Sequence, residues 1–421
     1  MTEDAPPDAA DPVHGVSAYI HIPFCVRRCP YCAFYSVAIG QAKRGEVSPL
    51  APAPGETGSG AAPFSWGAPP PKPPGILERY IDALEREFTA RLPSGSARAR
   101  TLYIGGGTPT LLPAPLLTRL VRLVTQTLAG PETREFTVEA LPGTLTPEKA
   151  EILASAGVGR VTLGLQSTER AVLEGVGRAR EYDALPRALE YLRQAGIRNI
   201  GVDLIIGLPG ETREGFRRGL EYLLGLECTH ISAYMLFIEE GTPFADARRR
   251  GETREAPDWK VRRNYTAFCS ALRRAGYEHY EVSNFALPGY ACRHNLATWR
   301  YESLLGFGAA SVGTSWRGGE LVRRHTAASL QAYCDHPERA YTEEILTAGD
   351  IFRERLLLGL RTSEGLPDDD AFAAGCGFLP AALREKLEGF TRSGHLAHTD
   401  GRYRATLKGM LWLDAILVEL F

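Results

Sequence analysis

The chain has 421 residues, of which 44% are hydrophobic and 23% are charged, and its formal net charge is −2 at pH 7. This is the composition of an ordinary globular protein, and the length suggests more than one domain. A net charge near zero argues against general binding to nucleic acid or to an anionic membrane. The sequence contains no run of 18 apolar residues, so we expect no transmembrane segment and at most a peripheral membrane contact.

The first residues, MTEDAPPDAADPVHG, are acidic and rich in proline. They lack the basic start and the apolar stretch of a signal peptide, which predicts a cytoplasmic protein. Residues 1–15 are expected to be disordered. A second stretch, rich in proline, glycine and alanine, cannot bury a core and is predicted to be an exposed insertion at 38–75.

Outside these segments the predicted elements alternate between strands and helices. The strands, in chain order, are SAYIHI, TLYIG, EFTVEA, RVTLGLQ, IGVDLII and HISAYMLF, and helical patterns of about 10–15 residues separate them. Such alternation predicts repeated βαβ units around a parallel sheet. At least six strands fit a whole or partial β/α barrel, whereas a doubly wound open sheet is the alternative that periodicity does not exclude.

Beyond about residue 320 the alternation is lost. Helical patterns surround a short strand pair, GHLAHTDGRYRAT, and the chain ends on LKGMLWLDAILVELF. We therefore predict an α/β barrel domain over 16–320 and a mainly helical, winged-helix-like domain over 321–421. No basic helix face accompanies the second domain, which favours a structural or substrate-covering role over DNA binding.

Three of the eight cysteines stand close together, at Cys25, Cys29 and Cys32, in the stretch IPFCVRRCPYC. Cytoplasmic cysteines are normally reduced, so metal binding is favoured over disulfides. A closed zinc site takes four ligands, and His21 is a candidate for the fourth. An iron–sulfur cluster held by three thiolates instead leaves one iron open to another ligand.

Further polar or glycine-rich features stand at the ends of the predicted strands, where a β/α barrel has its active site. They are Gly105, Gly106, Gly107, Thr108, Glu139, Gln166 and Asp203. Each alone is explained by a turn or a helix cap, but together they would converge on one cavity. Glycines let a small molecule approach the backbone, and a carboxylate can pair with an amine. The set favours an open [4Fe–4S] cluster that binds the amino acid end of S-adenosylmethionine, over zinc.

The C-x3-C-x2-C spacing together with GGGTPT resembles the radical SAM superfamily. One branch of it is similar over about residues 16–421, interrupted by 38–75. That branch contains the oxygen-independent coproporphyrinogen III dehydrogenases and the related haem chaperones called HemW. The similar stretches are YIHIPFCVRRCPYC, VEALPGTLTPEKA, GVDLIIGLPGET, HISAYMLFIEEGTPF and YEVSNFALPGYACRHNLATW.

The resemblance implies a role for individual residues. Cys25, Cys29 and Cys32 match the three cluster ligands, and Glu139 matches the residue that meets the amino group of S-adenosylmethionine. Other positions around this cofactor match Tyr19, Tyr31, Gly106, Gly107, Thr108, Gln166, Arg178 and Asp203. Without the resemblance, Arg178 would be taken for a surface arginine.

Two features favour the chaperones over the dehydrogenases. The dehydrogenases have the motif C-x3-C-x2-C-x-C, and this chain has Phe34 at the position of the fourth cysteine. The dehydrogenases also have an N-terminal extension, whereas this chain reaches its motif by residue 25. We therefore expect a chaperone that binds the cluster, S-adenosylmethionine and haem, receives electrons from a reductant such as flavodoxin or ferredoxin, and passes haem to an acceptor protein. The alternative is a coproporphyrinogen III oxidase that converts propionate side chains to vinyl groups, so enzymatic activity stays an open question.

The chaperones carry H-N-x-x-Y-W, a motif associated with haem. In RHNLATW, His294, Asn295 and Trp299 match it, and Thr298 takes the place of the tyrosine. A neutral imidazole is a common axial ligand of haem iron, so His294 is the candidate ligand. A structural histidine is the alternative, and Cys292 is a second candidate ligand.

Two further positions depart from the relatives. They often have histidine near Val312 and usually have asparagine where this chain has Leu141. The changes at Thr298 and Val312 concern haem handling rather than cofactor binding, so a diverged paralogue with another substrate is a further alternative. The basic run at 247–263 is expected to be a solvated helix face, with contact to a haem propionate or a partner as the alternative.

Overall fold

The computed structural model describes residues 16–39, 48–49, 75–92, 98–368 and 381–421. The disorder predicted for 1–15 and most of the insertion predicted at 38–75 lie outside these residues.

The strands and helices of the described residues follow the predicted alternation closely. The strands are β1 Val16–Ile22, β2 Phe24–Cys25, β3 Val37–Ala38, β4 Ser48–Pro49, β5 Ala99–Gly106, β6 Glu135–Ala140, β7 Arg160–Gln166, β8 Asn199–Ile206, β9 His230–Met235, β10 Glu278–Glu281, β11 Asn284–Ala286, β12 Leu304–Phe307, β13 Val312–Arg317, β14 Glu320–Thr326, β15 Tyr341–Ile345, β16 Leu366–Pro367, β17 Leu396–Thr399 and β18 Arg402–Ala405. The α-helices are α1 Ile76–Arg91, α2 Ala114–Leu128, α3 Pro147–Ser155, α4 Arg170–Gly175, α5 Ala179–Gln194, α6 Arg213–Gly225, α7 Pro243–Arg249, α8 Asp258–Arg274, α9 Arg293–Trp299, α10 Leu330–Asp335, α11 Ala348–Gly359, α12 Ala381–Arg392, α13 Leu407–Met410 and α14 Leu413–Leu420.

Local capping signals set several helix starts. Thr146, Thr212 and Thr242 each accept a hydrogen bond from the backbone N–H three residues further on. This is the usual role of an N-cap threonine, which satisfies one free N–H of the first helical turn. These three caps follow β6, β8 and β9, so they fix the loops at the carboxyl ends of the strands.

A twelve-stranded sheet has the order β10-β11-β9-β8-β7-β6-β5-β1-β12-β13-β14-β15. Strands β1 and β5 to β9 are parallel to one another and stand in chain order. A doubly wound sheet reverses its strand order at a switch point. These strands show no such reversal, so the fold is the partial β/α barrel and not the doubly wound alternative.

The sheet extends past the parallel strands at both edges. β12 lies parallel to β1, and β13, β14 and β15 follow it as antiparallel neighbours. At the other edge, β11 is antiparallel to β9 and β10 is antiparallel to β11. The domain boundary at residue 320 stays a prediction. The large sheet continues to Ile345, and this continuation favours a later boundary, near residue 346.

The two faces of the parallel strands differ sharply in polarity. In β1, Ala18, Ile20 and Ile22 are fully buried in the apolar core, whereas Ser17, Tyr19 and His21 alternate with them. Alternation of this kind recurs in β5 to β9. The polar face, called the lumen below, carries Ser17, Tyr19, His21, Thr101, Tyr103, Glu135, Thr137, Glu139, Arg160, Thr162, Asp203, His230, Ser232 and Tyr234. Parallel sheets are usually apolar on both faces, so a polar face indicates a lined barrel interior.

The C-terminal part has its own apolar core. Helices α11, α12 and α14 pack against the small antiparallel sheet β16-β18-β17, with Leu356, Leu387 and Leu417 among the buried residues. This matches the predicted winged-helix-like unit. The terminal helical pattern is divided into α13 and α14, and Trp412 at the division lies under the Arg262 guanidinium at 3.7 Å. Among the described helices, none is long and apolar enough to cross a bilayer.

Candidate functional site

The three predicted metal-ligating cysteines lie in one short loop that follows β2. Cys25 ends β2, which pairs with β3, and the Ile39 N–H donates to the Cys25 carbonyl at 2.8 Å. The Cys32 N–H donates to the Cys29 carbonyl at 3.1 Å. All three thiols are free and partly buried. The backbone therefore holds three sulfur donors on one fixed segment, called the cysteine loop below.

Burial works against ionisation of these thiols. It raises the pKa of Cys25 to about 11, with contributions from the neighbouring Cys32 and Cys29, and it raises the pKa of Cys32 as well. Thiols must lose their protons to bind a metal, and a bound metal would add its positive charge to that of Arg28 and Arg178, which already act to lower the pKa of Cys32. Among the described residues, no three His, Cys, Asp or Glu side chains converge as the ligands of a single ion do. In a [4Fe–4S] cluster, each thiolate binds a different iron atom.

His21, weighed as a fourth zinc ligand, is engaged elsewhere through both ring nitrogens. Nε2 lies 3.0 Å from the Tyr35 carbonyl oxygen and Nδ1 lies 3.1 Å from the Tyr19 hydroxyl. A carbonyl only accepts, so Nε2 carries the proton and Nδ1 accepts from the tyrosine. Burial lowers the pKa of His21 to about 4, which keeps the ring neutral. His21 thus ties the cysteine loop to β1 and has no free nitrogen for a metal.

Gly106 and Gly107 let the end of β5 pass close beneath the cysteine loop. A Cβ on Gly106, whose φ is +110°, would lie 2.5 Å from the His21 ring, and one on Gly107 would lie 2.5 Å from the Phe24 carbonyl oxygen. The next residue, Thr108, is buried and lowers the pKa of the Cys25 thiol by hydrogen bonding. The glycines are therefore needed for packing of the chain itself. Their predicted contact with S-adenosylmethionine stays a prediction.

Glu139 and Asp203 place two carboxylates in the lumen near the carboxyl ends of the strands. Glu139 accepts from the Tyr103 hydroxyl at 2.9 Å and from the Gly106 N–H at 3.0 Å. Burial and then Asp203 raise the pKa of Glu139 to about 7. Asp203 accepts from the Thr162 hydroxyl at 3.0 Å, and burial raises its pKa too. An ammonium group bound here would reduce the repulsion between the two carboxylates.

Gln166 and Arg178 bring the end of β7 towards the cysteine loop. Gln166 has a φ of +77°, in the left-handed region, and the pairing of β7 with β8 shifts register just before it. Such strain is common where a side chain must point in one direction. Arg178 donates to the Gly164 carbonyl at 2.6 Å and to the Cys29 sulfur at 3.3 Å. The arginine that only the resemblance singled out thus contacts the cysteine loop.

Two buried donors in and beside this loop have no hydrogen-bond partner among the described residues: Nε of Arg28 and Nε of Arg178. The Tyr31 hydroxyl has the Cys29 thiol beside it. The Tyr31 ring packs 6.4 Å from the Phe244 ring, and the Phe244 N–H donates to the Pro30 carbonyl at 2.8 Å. Unpaired donors next to three thiols fit a cofactor that has acceptor atoms. The donor set therefore fits an iron–sulfur cluster with bound S-adenosylmethionine.

Tyr19 links these groups along β1. Its ring lies 5.9 Å from the Tyr103 ring, and Tyr103 binds Glu139. These groups thus lie at the carboxyl ends of β1 and β5 to β8, which is the side that the sequence predicted. They are the cysteine loop, Gly106, Thr108, Glu139, Gln166, Arg178 and Asp203.

The structure places His294 apart from this group, near the start of β5. Its Nδ1 lies 2.9 Å from the Thr101 hydroxyl oxygen, and its ring packs 4.9 Å from the Tyr103 ring. Thr101 donates its own proton to the Ser17 hydroxyl at 2.8 Å. Thr101 therefore accepts from His294, so Nδ1 carries the proton and Nε2 has a free lone pair. His294 is 5% exposed, and burial lowers its pKa to about 4, which keeps the ring neutral.

Cys292, the second candidate haem ligand, anchors the start of α9. Its thiol donates to the Glu135 carboxylate at 3.2 Å, and burial raises its pKa to about 12. The same carboxylate accepts from the N–H groups of Arg293 at 2.8 Å and His294 at 3.1 Å. A protonated thiol held by a carboxylate is poorly suited to ligate iron, which favours His294.

The positions that depart from the relatives have varied surroundings. The Thr298 hydroxyl donates to the His294 carbonyl at 3.1 Å, one helical turn back. Val312 and Phe34 are exposed, Phe34 to 71%, and Leu141 is buried after β6. The Thr298 hydroxyl therefore forms its hydrogen bond within α9.

The basic run at 247–263 is extensively paired with acidic neighbours at the surface. Arg248 and Arg249 contact Glu240, and Arg250 contacts Glu252. Such exposed ion pairs are typical of a solvated surface. These three arginines therefore have carboxylate partners within the protein.

The sequence interpretation missed the polar lumen. Arg160, Thr162 and Gly164 alternate with apolar residues in β7, as Glu135, Thr137 and Glu139 do in β6. The signal was present in RVTLGLQ and EFTVEA, where every second residue is polar or glycine.

Comparison with known proteins agrees with this geometry. Residues 19–223 match the radical SAM superfamily, and residues 346–412 match the HemN C-terminal domain. The chain is 34% identical over 352 residues to a protein named heme chaperone HemW from Lactococcus lactis subsp. lactis (strain IL1403), covering 83% of this chain and 82% of that protein. It is 32% identical over 357 residues to that of Bacillus subtilis (strain 168), covering 83% and 84%. The HemW of Escherichia coli (strain K12) is 29% identical over 416 residues, covering 96% and 98%.

A solved structure shares the fold. Coproporphyrinogen III oxidase (HemN) from Escherichia coli, described as a radical SAM enzyme, superposes with a TM-score of 0.76 at 21% identity, covering 98% of this chain and 91% of that chain. At this identity the match shows a shared fold and not a shared activity. The more similar sequence relatives are named HemW. The chain therefore belongs to the HemW family of haem chaperones within the radical SAM superfamily.

Proposed function

We propose that this protein binds an open [4Fe–4S] cluster, S-adenosylmethionine and haem, and delivers the haem to an acceptor protein. Membership of the HemW family supports the chaperone role. The observation that carries the haem step is the hydrogen-bond chain from His294 through Thr101 to Ser17, because it leaves Nε2 of a neutral imidazole unprotonated. A neutral imidazole with a free nitrogen is a haem ligand of the ordinary kind.

The cofactors would occupy the carboxyl ends of the barrel strands. Cys25, Cys29 and Cys32 would hold three irons, and Glu139 with Asp203 would receive the amino group of S-adenosylmethionine. The remaining predicted contacts are Tyr19, Tyr31, Gly106, Gly107, Thr108, Gln166 and Arg178. When bound, the two groups supply one-electron chemistry. A flavodoxin or ferredoxin would be the reductant, and the free cysteines of the described part support a reducing, cytoplasmic setting.

Coproporphyrinogen III oxidation is the second candidate function. The Escherichia coli enzyme that carries out this reaction has the same fold. Phe34, which is 71% exposed at the fourth cysteine position of those enzymes, stands against it.

A haem titration of the anaerobically reconstituted protein, followed through the Soret band, tests the proposed ligand. His294→Ala should abolish saturable binding, whereas Cys292→Ala should retain it. His325→Ala, at a half-exposed histidine on β14, is the matched control and should bind as the wild type does. Equal binding by His294→Ala and His325→Ala would refute His294 as the ligand.

Iron and sulfide analysis tests the cluster separately. Cys25→Ala should lose most of the iron, whereas Cys269→Ala, at a buried cysteine on α8, should keep it. A full cluster in Cys25→Ala would contradict the ligand assignment.

A further inference from the structure

Arg160 is a buried cation that lacks a direct partner. It begins β7 on the lumen face and is 2% exposed. Within the part of the chain that the structure describes, its guanidinium forms no ion pair or hydrogen bond, and Nε is a buried atom without a partner. Arg91, which is 4% exposed, shows the usual arrangement, since it pairs with Glu87 at 2.8 Å. Cys292 and Glu135 act on Arg160 through space and raise its pKa against the effect of burial. A buried guanidinium that forms no hydrogen bond is still costly, so this position calls for a functional explanation.

His230, on β9, supplies a second unpaired donor. Its Nε2 lies 2.7 Å from the Tyr280 hydroxyl, and that hydroxyl accepts from the Cys292 N–H at 3.3 Å. Nε2 is the one acceptor that the described residues offer to the tyrosine proton, and in the tautomer in which it accepts, the proton of the neutral ring is on Nδ1. Nδ1 is buried and has no acceptor among the described residues.

The two donors converge beside Gly201, on the strand between them. A Cβ on Gly201 would lie 3.3 Å from Nη2 of Arg160 and 3.4 Å from Nδ1 of His230. It would also lie 2.9 Å from the Thr162 hydroxyl oxygen. The glycine thus leaves a guanidinium and an imidazole N–H facing one point on the lumen face of β7, β8 and β9.

The nearby carboxylates are committed to other donors. Glu135 accepts from the Cys292 thiol and from the N–H groups of Arg293 and His294. Asp203 accepts from Thr162. Two donors that face one point without an acceptor fit a ligand that only accepts, and a guanidinium matches the two oxygens of a carboxylate.

We propose that Arg160 and His230 form a carboxylate-binding site on the lumen face of β7 to β9, and that this site receives a propionate of the haem. The second part rests on the proposed function. The site and the candidate iron ligand belong to one assembly, because His230 binds Tyr280, Tyr280 binds Cys292, and His294 follows two residues later. An iron porphyrin offers both a metal for the imidazole and a carboxylate for the guanidinium.

The experiment compares haem with haem dimethyl ester, which keeps the iron and lacks the free carboxylates. Wild-type protein should bind haem roughly ten- to a hundredfold more tightly than the ester, as expected for a charge-assisted hydrogen bond. Arg160→Gln should bind both porphyrins with the affinity that the wild type has for the ester. Arg248→Gln, from the paired basic run, is the matched control and should keep the wild-type preference.

Equal affinity of the wild type for haem and its ester would overturn the propionate assignment and leave the proposed haem function intact. This comparison needs no variant, so it stands even where Arg160→Gln folds poorly. A preference that persists in Arg160→Gln and disappears in Arg248→Gln would also overturn the site.

A thermal-shift titration with sodium propionate separates the site from the haem function. A free carboxylate should raise the melting temperature of the wild type and not that of Arg160→Gln. If neither porphyrin binds but this difference is seen, the carboxylate site is supported and the haem function fails. If propionate stabilises both proteins equally, or neither, the site is refuted.

Discussion

Glu139 should lower the stability of the cofactor-free protein at neutral and alkaline pH. Its ordinary pKa of 4.5 is raised to about 7 in the fold, chiefly by burial. Between these values the folded state holds a proton that the unfolded chain has lost, so the free energy of unfolding falls as pH rises. The loss is complete above about pH 7 and amounts to about 3 kcal/mol, at about 1.4 kcal/mol for each unit of pKa.

Glu139→Gln removes this titration but keeps one acceptor oxygen, which can serve either the Tyr103 hydroxyl or the Gly106 N–H and not both. The lost hydrogen bond adds a cost that does not depend on pH, so the stability of the variant relative to the wild type should rise by about 3 kcal/mol between pH 4.5 and pH 8. Urea unfolding at a series of pH values measures it. Glu151→Gln, at an exposed position on α3, is the control and should show no such trend. A difference independent of pH would refute the reasoning. Because Glu139 is also expected to receive an amino group, the same variant should bind S-adenosylmethionine more weakly.

Three further predictions concern the cysteine loop, the core and the haem ligand. Gly106→Ala forces a Cβ to within 2.5 Å of an imidazole ring at a φ of +110°, so it should cost at least about 1–3 kcal/mol and lower the iron content after reconstitution; Gly225→Ala, with open space around it, should leave both unchanged. Arg91→Met removes the cation from the buried Glu87 carboxylate, which keeps only neutral donors, the Gly308 N–H and the Tyr333 hydroxyl. It should destabilise the fold by about 3–5 kcal/mol in urea unfolding, and a loss below about 1 kcal/mol would contradict the role of the buried pair. Thr101→Val removes the bond that fixes the His294 tautomer and should weaken haem binding ten- to a hundredfold by Soret titration, whereas Thr101→Ser should retain it; equal affinities would refute the role of the bond.

The fold could be predicted from the sequence because its signals are local. The stretches EFTVEA and RVTLGLQ coincide with β6 Glu135–Ala140 and β7 Arg160–Gln166. Periodicity alone left the barrel and the doubly wound sheet as alternatives, since the two differ in strand order and not in element pattern. Only the strand order of the three-dimensional structure, which runs from β1 through β5 to β9 without a reversal, decides between them.

The site at the carboxyl ends of the strands could also be predicted, because Glu139, Gln166 and Asp203 stand at or near the ends of predicted strands. The surroundings of His294 could not be predicted, since its partner Thr101 is 193 residues away in the chain. The same holds for Arg160. Its burial and its lack of a direct partner depend on which side chains the neighbouring strands bring beside it.

The central claim, that the protein handles haem, is tested most directly by the stoichiometry of haem binding to the cluster-loaded wild type. We expect saturable binding near one haem per chain, with a Soret band typical of imidazole ligation. Binding that does not saturate, or no shift of the Soret band from that of free haem, would contradict it.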